Sequence, residues 1–269
     1  MNFDKKITIG FIIFYPELVF IQRLEWLATA GYNIYIFDNS PESVGVKKIT
    51  LLHDNMYYAT AGQNVGLGTA LSIITASAFY DANQMMLFFD QDTSFTLETI
   101  EYINTFKNTH SNLILEKYAV IAFDSKQDSN KMSNQIEQAL LVISSGSLFV
   151  LNNLKCIGWH NYSYFVDGVD YELCLRARSK GYLVGRFSDT PGFDHVSEQP
   201  DSYITLLGKR LPLRQYSMVR LKDSFKAYLR LIWFTVIKLD FKAFLTISRS
   251  FIIFITGQIM SVLLLKKVK

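Results

Sequence analysis

The chain has 269 residues, 49% of them hydrophobic and 19% charged, with a formal net charge of +3. That length holds one large domain or two small ones, and the composition is far from that of a polytopic membrane protein. Residues 222–269 carry nine basic side chains against Asp223 and Asp240, a net of +7, which leaves −4 on residues 1–221. A basic tail so rich in Phe, Ile and Leu points to a membrane surface and not to nucleic acid.

The first half alternates strand and helix. About nine apolar residues precede Pro16 with no small-residue cleavage site after them, so the opening run reads as a core strand over 7–14 and not a signal peptide. A helix is expected over 17–30, stopping at Gly31, and then a strand over 33–37 ended by the turn cluster Asp38-Asn39-Ser40-Pro41. A short strand follows at 49–53, a helix of small and apolar residues at 66–80, and a buried strand at 85–89. This spacing implies βαβ units in a doubly wound, mostly parallel sheet with helices on both faces, whose ligands sit at the carboxyl ends of the strands. Asp38, Asn64, Asp90 and Asp92 all lie just past strand ends or before a helix.

The stretch Asp90-Gln91-Asp92 follows the apolar run Met85-Met86-Leu87-Phe88-Phe89 directly. Nothing in a core rewards two carboxylates at its exit, because unpaired buried carboxylates cost several kcal/mol or neutralise themselves. A divalent cation shared with a phosphate keeps such a pair ionised, although an acidic solvated turn has the same sequence. Upstream, Gly62-Gln63-Asn64-Val65-Gly66-Leu67-Gly68 precedes a helix. It is neither a Walker loop nor the dinucleotide fingerprint, and it reads either as backbone open to phosphate or ribose or as a turn capping the helix.

Strands are expected over 118–123 and 139–143 around a polar, exposed loop at 124–134, and Ser144-Ser145-Gly146-Ser147 then breaks the chain. A helical pattern begins at Val169 and ends at Gly181. Asp170 falls in its first turn, where the helix dipole keeps a carboxylate ionised, and Glu172 and Arg176 are spaced to pair across its exposed side. A strand follows over 182–187, and His195 lies on the loop beyond it. Cys156 and Cys174 lack a metal-type spacing and read as buried thiols.

In the tail, Phe225, Tyr228, Leu229, Ile232, Trp233 and Val236 repeat at helical spacing opposite Lys222, Lys226 and Arg230. Residues 251–265 are apolar for about fifteen positions, short of the roughly twenty a bilayer crossing needs. The tail is therefore expected to lie in the membrane plane, with docking on the protein's own body or on a second subunit as the other reading.

Taken in order, Asp38-Asn39-Ser40, Asn64 with Gly66, Asp90-Gln91-Asp92, Ser145-Gly146, the block from Phe165 through Asp170, Glu172 and Leu175-Arg176-Ala177 to Gly181-Tyr182, and His195 resemble the family-2-type inverting glycosyltransferases of the GT-A fold. The likeness covers about residues 7–220 and is strongest to bacterial rhamnosyltransferases of O-antigen and capsule synthesis, with galactofuranosyltransferases and other hexosyltransferases next. Arg214 to Arg220 is similar to the family's closing Arg-Tyr-rich segment, but Leu221 stands where an Asn is usual.

The resemblance implies a glycosyltransferase domain at 1–221, while the charge and apolar spacing read residues 222–269 as a membrane-associated or oligomer-forming helical tail. It implies a dTDP- or UDP-linked sugar as donor, a saccharide or lipid-linked saccharide as acceptor, Mg²⁺ or Mn²⁺ as cofactor, and a peripheral place on the cytoplasmic face of the cell membrane. Asp38 would accept the base N–H, Asn64 and Gly66 would line the nucleotide cleft, and Asp90 would touch ribose or metal. Asp92 and His195 would ligate the metal, Ser145 and Gly146 would border the donor sugar, and Asp170 would be the catalytic base. Trp159 and Tyr164 would offer an acceptor platform. A sugar-1-phosphate nucleotidyltransferase is disfavoured because residues 10–16 lack its glycine-rich, basic loop. A non-catalytic scaffold is disfavoured by the retained Asp90, Asp92, Asp170 and His195.

Overall fold

Alternation along the first strand sets up two layers. In β1 (Thr8–Ile13), Ile9, Phe11 and Ile13 point to one face and are buried. Gly10 is on the other face, where a Cβ would lie 2.8 Å from the Met86 sulfur and 3.2 Å from Ile74 Cδ1. Glycine there lets a helix approach the sheet closely. The protein is described by a computed structural model over residues 6–41, 46–124, 135–188, 190–192, 202–206, 209–213 and 216–265.

After β1 come α1 (Leu18–Thr29), β2 (Ile34–Asp38), α2 (Val46–Thr50), β3 (Met56–Thr60), α3 (Leu67–Tyr80) and β4 (Met85–Asp90). The strand expected at 49–53 is a correction. Leu51 and Leu52 are 80% and 73% exposed, and the strand lies at Met56–Thr60, in parallel register with β2. A short apolar run does not distinguish a buried strand from a helix end. Next is α4 (Leu97–Lys117), which the sequence reading passed over; its N-terminus is held by reciprocal hydrogen bonds between Thr96 and Thr99.

The second half holds β5 (Tyr118–Phe123), β6 (Glu137–Gln138), β7 (Ser147–Val150), α5 (Leu151–Ile157), α6 (Val169–Ser179) and β8 (Leu183–Phe187). The strand expected at 139–143 is displaced to Glu137–Gln138, where it pairs antiparallel with β8. Then follow β9 (Ser202–Leu206), β10 (Lys209–Leu213), α7 (Met218–Ile237) and α8 (Phe241–Leu265).

Among the described residues eight strands form one mixed sheet in the order β3-β2-β1-β4-β7-β5-β8-β6. The β3-β2-β1-β4 half is parallel, and β7 runs antiparallel between β4 and β5. One face packs α1 (Phe20, Leu24, Leu27) and α4 (Ile100, Ile103, Phe106) onto Phe11, Phe89 and Phe123. Because β1 leads to β2 on one side and borders β4 on the other, the crevice of this sheet opens at the carboxyl ends of β1 and β4.

The chain divides into two compact units, Met1–Phe165 with Val169–Val196, and Val166–Gly168 with Ser197–Lys269. The second contains the β9–β10 hairpin and the α7–α8 pair. In it Asp223 accepts from the amides of Val166 and Asp167 at 3.2 Å each. The buried α7 residues Ser224, Ala227, Leu231 and Thr235 recur at helical spacing, as do the buried Ala243 and Ile247 of α8. The apolar run at 251–265, expected to fall short of a bilayer crossing, is a correction: it belongs to a 25-residue helix beginning at Phe241, of which Phe241–Leu263 is long and apolar enough to cross.

Candidate functional site

The carboxyl edge of the sheet is stitched by side chains from successive loops. Asp38, fully buried at the end of β2, accepts from the Ser40 amide at 2.8 Å through Oδ1 and from the Tyr58 hydroxyl at 2.9 Å through Oδ2. Asn39 Oδ1 accepts from the Val65 amide at 3.1 Å, tying the loop after β3 to the loop after β2. The Tyr15 amide donates to Ser40 Oγ at 2.8 Å. Gln91 brackets Phe14, accepting from its amide at 2.9 Å and donating to its carbonyl at 3.0 Å. Tyr15 holds a left-handed φ of 48°, and the exposed Phe14 and Tyr15 rings meet edge to face. A non-glycine residue in that region stores strain, which concentrates at functional edges.

At the neighbouring strand end the carboxylates converge. Asp90 closes β4, and its carboxyl is pushed up to about 7, first by burial and then by the charges of Asp170 and Asp92; a hydrogen bond from Ser145 opposes the rise. The Asp90 amide donates to Ser145 Oγ at 2.9 Å, and Thr93 Oγ1 lies 2.6 Å from that hydroxyl. One residue earlier, Ser144 Oγ donates to Asp170 Oδ1. The consecutive serines of one turn thus hold a carboxylate each, one from β4 and one from the first turn of α6. Gly146, at φ 73°, completes the turn by donating to the Phe88 carbonyl at 2.8 Å and accepting from the Phe123 amide at 2.9 Å.

The glycines before α3 receive protein backbone. Asn64 Oδ1 accepts from the Gly66 amide at 2.9 Å, and the Leu67 amide donates to the Phe165 carbonyl at 2.5 Å. A Cβ on Gly66 would sit 2.6 Å from Phe165, and one on Gly68 would sit 2.6 Å from the carbonyl oxygens of Asn161 and Tyr164. The segment 161–165 therefore caps the helix, and the half-exposed Phe165 ring lies over Gly66.

The pairing expected on α6 forms, but not on an exposed side. Glu172 is buried, and Arg176 donates to both its oxygens, at 2.7 and 3.0 Å, while reaching the carbonyls of Ile157, Gly158 and Trp159. Trp159 packs on Phe79 with centroids 5.7 Å apart, some twelve residues or roughly 18 Å along α3 from its N-terminus. That places it away from the carboxyl edge. The Tyr164 ring is 5% exposed. The structure therefore brings neither ring to the carboxylates as an open sugar platform. Cys174 is buried as expected, whereas Cys156 is exposed.

His195 lies outside the described residues, and among those described no group of three His, Cys, Asp or Glu is arranged to hold a metal ion. The charges of Asp170 and Asp92 both act on the buried Asp90 carboxyl, and carboxylate oxygens are the donor type that a hard divalent cation takes. Of the residues expected from the sequence, the structure brings Asp90, Asp170, Ser145 and Gly146 to one strand end. Ser144, Phe14 and Tyr15 carried no role in that expectation; the run Ser144-Ser145-Gly146 was the one available signal for the first of these.

No protein-family profile matches the chain, and no curated protein sequence matches it. Solved structures do resemble it. S. aureus TarS aligns over 70% of this chain and 36% of its own, at 15% identity and TM-score 0.52. S. aureus TarS 1-349 in complex with UDP-GlcNAc aligns over 86% of this chain and 66% of its own, at 12% identity and TM-score 0.52. GalNAc-T7 with UDP, GalNAc and Mn²⁺ aligns over 83% of this chain and 48% of its own, at 11% identity and TM-score 0.51. The chain thus spans less than two thirds of each neighbour's length. The fold is the GT-A fold, a mixed sheet with helices on both faces, and the chain adds a C-terminal apolar helix.

Proposed function

We propose that the protein transfers a sugar from a nucleoside-diphosphate donor to a saccharide acceptor, with inversion at the anomeric carbon. The observation that carries this reading is the meeting of Asp90, Asp170 and the Ser144–Ser145 turn at the carboxyl edge of a GT-A sheet. Asp38, its carboxylate held by Ser40 and Tyr58, and Asn64 with the Gly66 turn would back the nucleotide side of the crevice, and the exposed Phe14 and Tyr15 rings would give it an apolar wall. Ser145 and Gly146 border the donor sugar.

Asp170 is the base. Ser144 donates to Oδ1 and so fixes the carboxylate in the first turn of α6, and a carboxylate within about 3 Å of the acceptor hydroxyl suffices to take its proton as the oxygen attacks. One base is enough, since the diphosphate leaves without protonation; a glycoside hydrolase needs a second carboxylate. Asp92 and His195 would hold Mg²⁺ or Mn²⁺ beside Asp90, and the bound ion would offset charge developing on the leaving diphosphate.

The resemblance of the ordered motifs favours a dTDP-linked rhamnosyl donor and a lipid-linked saccharide acceptor in cell-surface polysaccharide synthesis, at the cytoplasmic face of the membrane. A UDP-sugar is the second reading, favoured by the UDP-GlcNAc of TarS and the UDP of GalNAc-T7. A screen of dTDP- and UDP-sugars for donor hydrolysis or transfer, with Mg²⁺ or Mn²⁺, decides between them. In Asp170→Asn, donor binding should persist while turnover falls about 100-fold or more. Normal turnover in that variant would remove Asp170 from the mechanism.

A further inference from the structure

The second compact unit carries surface chemistry that sugar transfer does not use. Along α8 the exposed side chains Phe241 (70%), Leu245 (52%), Ile252 (65%), Ile259 (55%) and Leu263 (59%) recur at spacings of four and seven. They draw one apolar line about 33 Å long. Lys242 and Arg249, also seven apart and exposed, run along one flank of that line. The α7 helix repeats the pattern: Phe225, Leu229 and Trp233 are exposed, with Lys226 and Arg230 one position after the first two and Lys222 three positions before Phe225. Asp223 accepts from the Val166 and Asp167 amides, Asp240 Oδ1 accepts from the Ala243 amide at 3.0 Å to cap α8, and α8 itself contains no acidic residue.

We propose that α8 lies flat in the interface of a bilayer rich in anionic lipid, with its apolar line in the acyl boundary and Lys242 and Arg249 at the headgroups. This rests on the membrane part of the proposed function and not on its chemistry. The stretch Phe241–Leu263 is long and apolar enough to cross a bilayer, with 23 residues and a mean hydropathy of 1.5. Crossing would nevertheless carry Arg249 to within about 5 Å of the midplane, where a lone charge is strongly disfavoured. Lying flat satisfies the apolar line and both cations at once. The opposite charge of the lipid is what selects this occupant over a second copy of the same basic surface.

The test uses the full chain and vesicles of phosphatidylcholine with or without 30% phosphatidylglycerol, read by flotation, so it does not depend on any sugar transfer. Binding should require phosphatidylglycerol and weaken with salt. Ile252→Glu or Ile259→Glu should lower partitioning about tenfold or more, and Lys242→Glu or Arg249→Glu about fivefold or more each. Circular dichroism of each exposed-site variant should match the parent. In a Cys156→Ser background, Lys269→Cys on sealed vesicles should react with an impermeant maleimide. Protection of that cysteine would replace the flat geometry with a crossing one. A stable dimer that ignores both kinds of vesicle would overturn the proposal in favour of a second copy.

Discussion

His160 is 2% exposed, its ring meets Phe149 edge to face at 5.0 Å, and neither ring nitrogen has a hydrogen-bond partner among the described residues. Burial, with the nearby Arg176 charge second, pushes its pKa down to about 3. The folded protein therefore binds fewer protons at this site than the unfolded chain does below pH 6.5. Its contribution is complete above about pH 6.5 and is lost as pH falls toward 3, by up to about 1.4 kcal/mol per pH unit. His160→Phe keeps a planar ring, somewhat larger than imidazole, and removes the unpartnered nitrogens. Urea denaturation should show it about 1–3 kcal/mol more stable than the parent at pH 7, with a gap that widens at pH 4.5. Equal stability at both pH values would mean that the imidazole finds partners in solution.

At the scale of elements, the close approach of 161–165 to the start of α3 makes a sharper demand than helix propensity does. Gly68→Ala would gain up to about 1 kcal/mol from propensity. Its Cβ would however press on two backbone carbonyls at 2.6 Å, which do not move aside as a flexible side chain would, so a net loss of about 1–3 kcal/mol is expected. Gly257, in α8, has no described residue within 4 Å of its Cβ position, and Gly257→Ala should be neutral or stabilising. Thermal melts of the two variants should move in opposite directions; a shift of the same sign in both would remove the packing argument. The contrast also shows what the chain discloses by itself. Runs such as 85–89 and the small-residue helix at 66–80 are legible because a buried sheet needs continuous apolar strands and close helices. The α4 helix is not, because Asn104, Asn108, Thr109 and His110 dilute its apolar stripe and its start depends on the Thr96–Thr99 bonds. Likewise Asp90 and Asp170 announce themselves as acids at element ends, whereas Ser144 and Phe165 gain meaning only from what the fold sets opposite them.

Across the whole molecule, charge links ligand binding to stability. Residues 1–221, which carry the crevice, have a net charge of −4, and the crevice itself gathers Asp90, Asp92 and Asp170. A nucleoside diphosphate brings further negative charge to that place, so the donor should bind poorly unless a cation enters with it. Binding to the native state alone raises stability by RT ln(1 + [L]/Kd), about 2.7 kcal/mol at a hundred times Kd. For a chain of this size that amounts to a rise in melting temperature of roughly 5–10 °C. UDP or dTDP alone should therefore shift the melt little, the nucleotide with Mn²⁺ should shift it by that amount, and EDTA should cancel the gain. In Asp92→Ala the Mn²⁺-dependent part should vanish while the melt of the unliganded protein stays near the parent's, since Asp92 is exposed. A full nucleotide shift in EDTA, or an undiminished Mn²⁺ effect in Asp92→Ala, would show that the crevice accepts the diphosphate through its own residues and that the carboxylates serve another purpose.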